Sequence, residues 1–318
     1  MIEWHRSFLQ VRTGRRSATL RELYPLCPEE ERHLSAAWYE LCLAGRPTGR
    51  LTPFEGIRLG PGPLAVAASG AAASPADDLR ALLGSALAES LGKAGEVAVD
   101  VAVSGGVDSW LLAALLQSLG YRVRGWYLES GVAEYCELPQ VERSSQALGI
   151  ECRHIRATAD DFLNAVPEFV AVTETPIYNL HPVSKWLLAK ALRREGVATL
   201  VTGDGADQAM RQERDCDLLP LTLTCFQSAG IRVVAPFLAA SVALFCRQPD
   251  PGKRPVRLLA RQLGVPDVPK HPTLFPAVAL PPHPRALLPA PAAPSRQYQA
   301  QCVSYTTGLL LGMLEDAP

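Results

Sequence analysis

The six residues Ser104-Gly105-Gly106-Val107-Asp108-Ser109 put two glycines, two hydroxyls and a carboxylate between an apolar β-rich run at 97–103 and a helical pattern at 107–119. A strand, tight turn and helix start in that order aim unpaired helix N–H groups and the positive end of the helix dipole into the turn, where an anion gains hydrogen bonds and field together. Gly105 and Gly106, following Val103 at the strand end, let the backbone approach an oxyanion without a Cβ in the way, and Ser104 and Ser109 add hydroxyl donors. The carboxylate of Asp108 would repel bare phosphate and becomes useful only when a divalent cation bridges the two. ATP with Mg²⁺ meets that requirement. The string is neither the Gly-x4-Gly-Lys-Ser/Thr loop nor the Gly-x-Gly-x-x-Gly fingerprint. The plain alternative is a glycine-rich turn that binds nothing.

A second acidic glycine turn, Gly203-Asp204-Gly205-Ala206-Asp207, follows the strand pattern at 198–202. In doubly wound sheets ligands bind beyond the carboxyl ends of the strands, so the two turns are expected to face one pocket.

The elements needed to hold these turns are legible along the chain. Leu79, Leu82, Leu83, Ala86, Leu87 and Leu91 keep one helical stripe after a start at Pro75, Asp77 and Asp78. Strands are expected at 121–128 and 151–155, and helices at 139–148, 160–172 and 183–195, the last closed by Gly196. Alternation of strand and helix predicts an α/β fold with a parallel sheet. Residues 1–75, broken by Pro25, Pro28, Pro47, Pro53, Pro61 and Pro63, read as a small N-terminal lobe and linker, and 76–318 as the main domain. Ten prolines at 266–294 predict a covering loop or arm with little regular structure, before a final helix at 297–314.

The first turn resembles the complete signature of the ATP-pyrophosphatase (PP-loop) superfamily, and the second resembles the Ser-Gly-Glu-Gly-Ala-Asp-Glu turn of the asparagine synthetase family, which includes β-lactam synthetases and lasso-peptide cyclases. Other pieces agree in order: Leu51-Thr52-Pro53-Phe54-Glu55-Gly56-Ile57-Arg58, Glu174-Thr175, Pro236-Phe237-Leu238, and the basic region Arg257-Leu258-Leu259-Ala260-Arg261 with Lys270. The resemblance covers roughly residues 51–275. It implies a parallel-sheet synthetase domain that cleaves ATP between the α and β phosphates, adenylates a carboxylate, and passes it to an amine or ammonia. Carried over by position, Ser104, Gly105, Gly106 and Ser109 would hold pyrophosphate, Gly203, Asp204 and Gly205 would border the nucleotide, and Asp108 and Asp207 would bind Mg²⁺. Two carboxylates near a triphosphate are unfavourable until such a cation neutralises them. An Asp at a helix start is also a common N-cap. Glu174 would handle the proton that an attacking ammonium must lose; its plain reading is a solvated helix end. Arg257, Arg261 and Lys270 would neutralise departing pyrophosphate, and Trp126 or Tyr127 would border adenine or pack in the core.

The departures are specific. Asp204 replaces the family Glu, Gln208 follows Asp207, Ala209-Met210-Arg211 replaces Phe-Gly-Gly, and Pro176-Ile177 replaces the segment with the Asp after Glu174. The pocket for the acyl acceptor is therefore expected to be rebuilt. Position 2 is Ile2, so a glutaminase cysteine is not expected there. An amine from the substrate itself, from ammonia, or from a separate supplying or carrier protein fits better, with a small-molecule or peptide carboxylate as its partner.

Composition narrows the classes. In 318 residues, 48% hydrophobic residues suffice for a large core, while a net charge of −1 gives no general footprint for nucleic acid or an acidic membrane. No apolar run reaches membrane-spanning length and the first residues do not form a signal peptide, so a cytoplasmic protein is expected. The eight cysteines are scattered, and Cys152 with His154 makes a poor metal pair. A tRNA-modifying adenylating enzyme and a non-catalytic scaffold subunit are the competing readings.

Overall fold

The computed structural model describes residues 7–44, 50–60, 75–95, 97–131, 136–211, 218–246, 250, 252–267, 280, 281, 283 and 296–316. Lys270 and most of the proline-rich stretch lie outside them.

An N-terminal three-stranded antiparallel sheet forms from β1 (Phe8–Gln10), β2 (Arg16–Ser17) and β3 (Ile57–Leu59), with β1 in the centre. Helices α1 (Leu20–Leu23) and α2 (Ala36–Leu43) accompany it, the second capped where Ser35 Oγ accepts the N–H of Trp38. Helix α3 (Pro75–Leu91) then leads into the main sheet: β4 (Val99–Ala102), α4 (Val107–Ser118), β5 (Val123–Glu129), α5 (Leu138–Leu148) and β6 (Glu151–Arg156). After α6 (Ala159–Thr173) and α7 (His181–Arg194) come β7 (Thr199–Val201), α8 (Ala206–Arg211), α9 (Leu218–Ser228) and β8 (Arg232–Val234). Helices α10 (Ala240–Phe245), α11 (Arg254–Gln262) and α12 (Gln297–Glu315) complete the described chain.

The five main strands are parallel in the order β6-β5-β4-β7-β8. Placement runs outward from β4 to β6 and then returns to the opposite side of β4. The turns that leave β4 and β7 consequently lie side by side, at the point where strand order reverses.

Period-two alternation decides which side of the sheet each strand residue covers. Val101, Val103, Tyr127 and Val201 bury into one cluster with α3, α4 and α11, while Trp126 and Leu200 bury into another with α6, α7 and α9. Helix α4 is buried from Ser109 to Leu116, which fixes the first glycine turn on a rigid support. Helix α6 starts with a capping box between Thr158 and Asp161 and holds Pro167 within it. The N-terminal segment shares its core with the rest, since Phe8, Leu20, Phe54 and Ile57 cluster with Phe162, Phe169 and Leu192. Trp126 is a core residue whose Nε1–H donates to Asp100 at 2.6 Å, under the guanidinium of Arg124.

Candidate active site

The turns after β4 and β7 enclose a crevice of about 290 Å³. Ser104 Oγ accepts from the Gly106 N–H at 3.2 Å, Ser109 Oγ accepts from the Ser104 N–H at 3.2 Å, and the Trp110 indole N–H donates to the Ser104 carbonyl at 2.8 Å. The two serines thus brace the loop from within. The Gly105 N–H points outward and donates at 3.0 Å to the Oε2 of Glu137, the residue just before α5. A carboxylate thus already takes one backbone N–H of the loop.

The second turn is held against the first. A Cβ on Gly203 would lie 3.1 Å from the Ser109 nitrogen and 3.2 Å from the Asp108 Cβ, so glycine lets the two backbones approach. Gly205 has φ +95°, and a Cβ there would meet Leu238 at 2.5 Å. Val103, Asp204, Asp207 and Tyr127 also line the crevice. Asp204 lies 3.6 Å from the Nζ of Lys185 on α7.

The feature that sequence reasoning missed is Lys253. Its side chain is buried, and its Nζ lies 2.6 Å from Asp108 Oδ2 and 3.0 Å from Asp207 Oδ1. The two carboxylates expected to share Mg²⁺ instead share an ammonium. Without a cation between them their mutual repulsion would favour separation or protonation. Lys253 immediately precedes α11 and has φ 51°, a left-handed conformation that costs a non-glycine residue on the order of 1 kcal/mol and tends to mark functional positions. The available signal was Gly252-Lys253-Arg254-Pro255, a glycine and a proline framing a helix start.

The start of α11 therefore brings Lys253 to two carboxylates of the crevice, and neither Lys253 nor Arg257 lines the crevice itself. The Arg257 guanidinium donates to the Gly252 carbonyl at 3.2 Å and approaches Asp267 at 3.4 Å, where Arg261 also binds at 2.6 Å. Those bonds brace the turn that presents Lys253, a positioning task in place of the direct phosphate contact expected for Arg257. The two guanidiniums, Arg261 foremost, hold the Asp267 carboxyl below its ordinary range.

Glu174 also stands apart from the crevice. It caps the end of α6 with φ 45°, is buried, and accepts the Leu20 N–H at 2.5 Å while pairing with Arg21 at 3.1 Å. Its carboxylate faces a second, apolar cavity between the N-terminal sheet and the 174–182 segment. His181, at the start of α7, lines both cavities. Burial, reinforced by Lys185 and opposed by Asp204, pulls its imidazole down to about 4, so the ring is neutral near pH 7.

The donor set suits a magnesium nucleotide: a backbone anion cradle, an ammonium, and two facing carboxylates supply only part of an oxygen shell, which phosphate oxygens would complete. Among the described residues no group of three or more His, Cys, Asp or Glu side chains forms a ready metal cluster, Cys152 and His154 included.

A five-stranded parallel sheet with glycine turns at adjoining strand ends is the architecture of a PP-loop domain. Residues 78–214 match the family model described as asparagine synthase, and this span is a synthetase domain of the asparagine synthetase family, whose members are ATP-dependent amide-bond synthetases. Comparison with curated proteins gave no match. The matched span holds both glycine turns and Glu174, while Lys253 and the N-terminal sheet lie beyond it.

Proposed function

We propose that the protein forms amide or lactam bonds by activating a carboxylate with ATP, releasing pyrophosphate and then AMP. A carboxylate oxygen of the substrate attacks the α-phosphorus, and the bond from that phosphorus to the bridging oxygen of pyrophosphate breaks. An amine or ammonia then attacks the acyl carbon, its nitrogen loses a proton, and AMP departs with the former carboxylate oxygen. The observation that carries this reading is the convergence of Asp108 and Asp207 on one cation beside a loop that already holds a carboxylate.

Each residue has a task in that chemistry. Asp108 and Asp207 would hold Mg²⁺, which when bound screens phosphate charge and orients the triphosphate. Release of the two carboxylates frees the Lys253 ammonium to meet the negative charge that builds on departing pyrophosphate. The N–H of Gly105 exchanges the Glu137 carboxylate for a phosphate oxygen. Lys185, beside Asp204, attracts the incoming carboxylate to the crevice edge.

The acid is a small molecule or a peptide, and the nitrogen comes from solution, from a supplying or carrier protein, or from the same substrate. A role in specialised metabolism and a cytoplasmic setting belong to the same proposal. No helix among the described residues is long and apolar enough to cross a membrane, and Cys27, Cys42, Cys225, Cys246 and Cys302 are buried cysteines outside any disulfide. Phosphorus NMR of the turnover products tests the reading. AMP and pyrophosphate in equal amounts are expected; ADP and phosphate would overturn it.

A further inference from the structure

The apolar cavity that shares His181 with the crevice measures about 70 Å³. Phe8, Leu20, Trp38, Leu51, Tyr178 and Leu221 form its walls. Thr306 Oγ1 on α12 accepts the Ile177 N–H at 3.0 Å, and Asn179 Oδ1 accepts the His181 N–H at 3.0 Å, so the wall segment before α7 is fixed at both ends. At about 10–15 Å³ for each water-sized group, the space takes roughly five to seven such groups, the bulk of a phenyl ring or a branched alkyl chain.

Charge at the cavity points to one class of occupant. Among the described lining residues no Lys or Arg is present, and the carboxylate of Glu174 is already engaged by the Leu20 N–H and Arg21. A second carboxylate on the ligand would lose its water without gaining an opposite charge, and an ammonium would meet only a carboxylate whose oxygens already take the Leu20 N–H and Arg21. An apolar group loses nothing and gains the burial. At the other side of His181, one helical turn along α7, Lys185 offers a cation at the crevice edge.

We propose that this cavity holds the side group of the acid that is activated, and that this group is uncharged, apolar and of phenyl or branched-alkyl size, with its carboxylate lying past His181 toward Lys185. The proposal rests on the adenylating reading above. It excludes aspartate-like diacids as preferred substrates.

The test combines a reaction with a binding measurement. ATP–pyrophosphate exchange is followed with phenylacetate, isovalerate, phenylalanine and leucine against aspartate, glutamate and lysine. Separately, ligand-observed NMR records phenylacetate binding without nucleotide. The variants are Leu51→Arg, which brings a charge to a half-buried wall, and Leu221→Phe, which fills the space; retained melting temperature and Mg-ATP affinity show that each folds. At least tenfold higher kcat/KM is expected for one of the apolar acids than for any charged one. Both variants should raise the KM for that acid tenfold or more. Preference for a charged acid, or unchanged KM in both folded variants, overturns the proposal. If no acid supports exchange, the adenylating reading fails, and NMR alone decides the cavity. Phenylacetate binding that is lost in both variants supports an apolar-acid site, whereas absent or unaffected binding overturns it.

Discussion

The ammonium of Lys253 lies 2.6 Å from a carboxylate oxygen of Asp108, although 145 positions separate them in the chain. The same ammonium reaches Asp207, so one internal cation stabilises two acids that arrive from different strand ends. On the proposed reading, a bound magnesium nucleotide would exchange that arrangement for one in which the lysine faces phosphate.

Removing this cation should therefore cost both stability and turnover. Lys253→Met leaves two carboxylates facing each other, and since Asp207 is about one-third exposed the penalty is discounted to about 1–2 kcal/mol. Thermal unfolding should show that loss, with a larger recovery on added Mg²⁺ than in the parent protein. Pyrophosphate exchange should fall about 10²–10³-fold, as for the loss of one preorganised donor.

Glu137 accepts the Gly105 N–H, which the proposed reading assigns to a phosphate oxygen. Glu137→Ala should tighten Mg-ATP binding by about 5–30-fold, since a charge-assisted hydrogen bond of about 1–2 kcal/mol no longer has to be displaced. Calorimetry measures this directly; unchanged or weaker binding would show that the carboxylate does not occupy the phosphate position.

The glycines of the second turn should separate by effect. Gly203→Ala forces the Ser109 and Asp108 backbone away and should weaken Mg-ATP binding about tenfold, which corresponds to about 1.4 kcal/mol. Gly205→Ala combines φ +95° with a contact to Leu238 and should destabilise the fold by about 2 kcal/mol or more. Urea unfolding and nucleotide titration of both variants distinguish the two.

The neutral His181 makes a signed pH prediction. Its folded value of about 4 lies below the ordinary value of 6.5, so between those limits the unfolded chain binds more protons. The contribution is fully present above pH 6.5 and is lost as pH falls toward 4. Lys185 and Asp204 are the charged groups beside the ring. Unfolding free energies from urea titrations at pH 7 and pH 5 should differ by on the order of 1–2 kcal/mol, and His181→Gln should flatten the difference.

Much of this was legible because the signals were local. Strand β4 runs straight into a glycine turn, α4 is apolar on every side from Trp110 to Leu116, and Gly196 follows α7, so residue order alone placed these elements. That the two glycine turns face one pocket was expected from strand ends of a doubly wound sheet, while the pairing of Asp108 with Asp207 came from the resemblance. Lys253 was not legible, because its position depends on a left-handed residue and on α11 packing against α3 and α4. Strand β8 spans only three residues, and its place beside β7 comes from pairing, as Leu200 opposes Val233. Glu174 read as a proton handler through the resemblance alone, since Pro176-Ile177 depart from the family pattern beside it. Only the folded chain reveals Leu20 and Arg21 at its carboxylate.

The central claim is that Asp108 and Asp207 serve ATP cleavage at the α-phosphorus, and ATP–pyrophosphate exchange across an acid panel tests it most directly. Exchange with one class of acid in the parent protein, reduced at least 10²-fold in Asp108→Ala and in Asp207→Ala while both remain folded, is the predicted result. Exchange that survives both substitutions, or a parent protein that binds Mg-ATP and exchanges pyrophosphate with no acid, would contradict it.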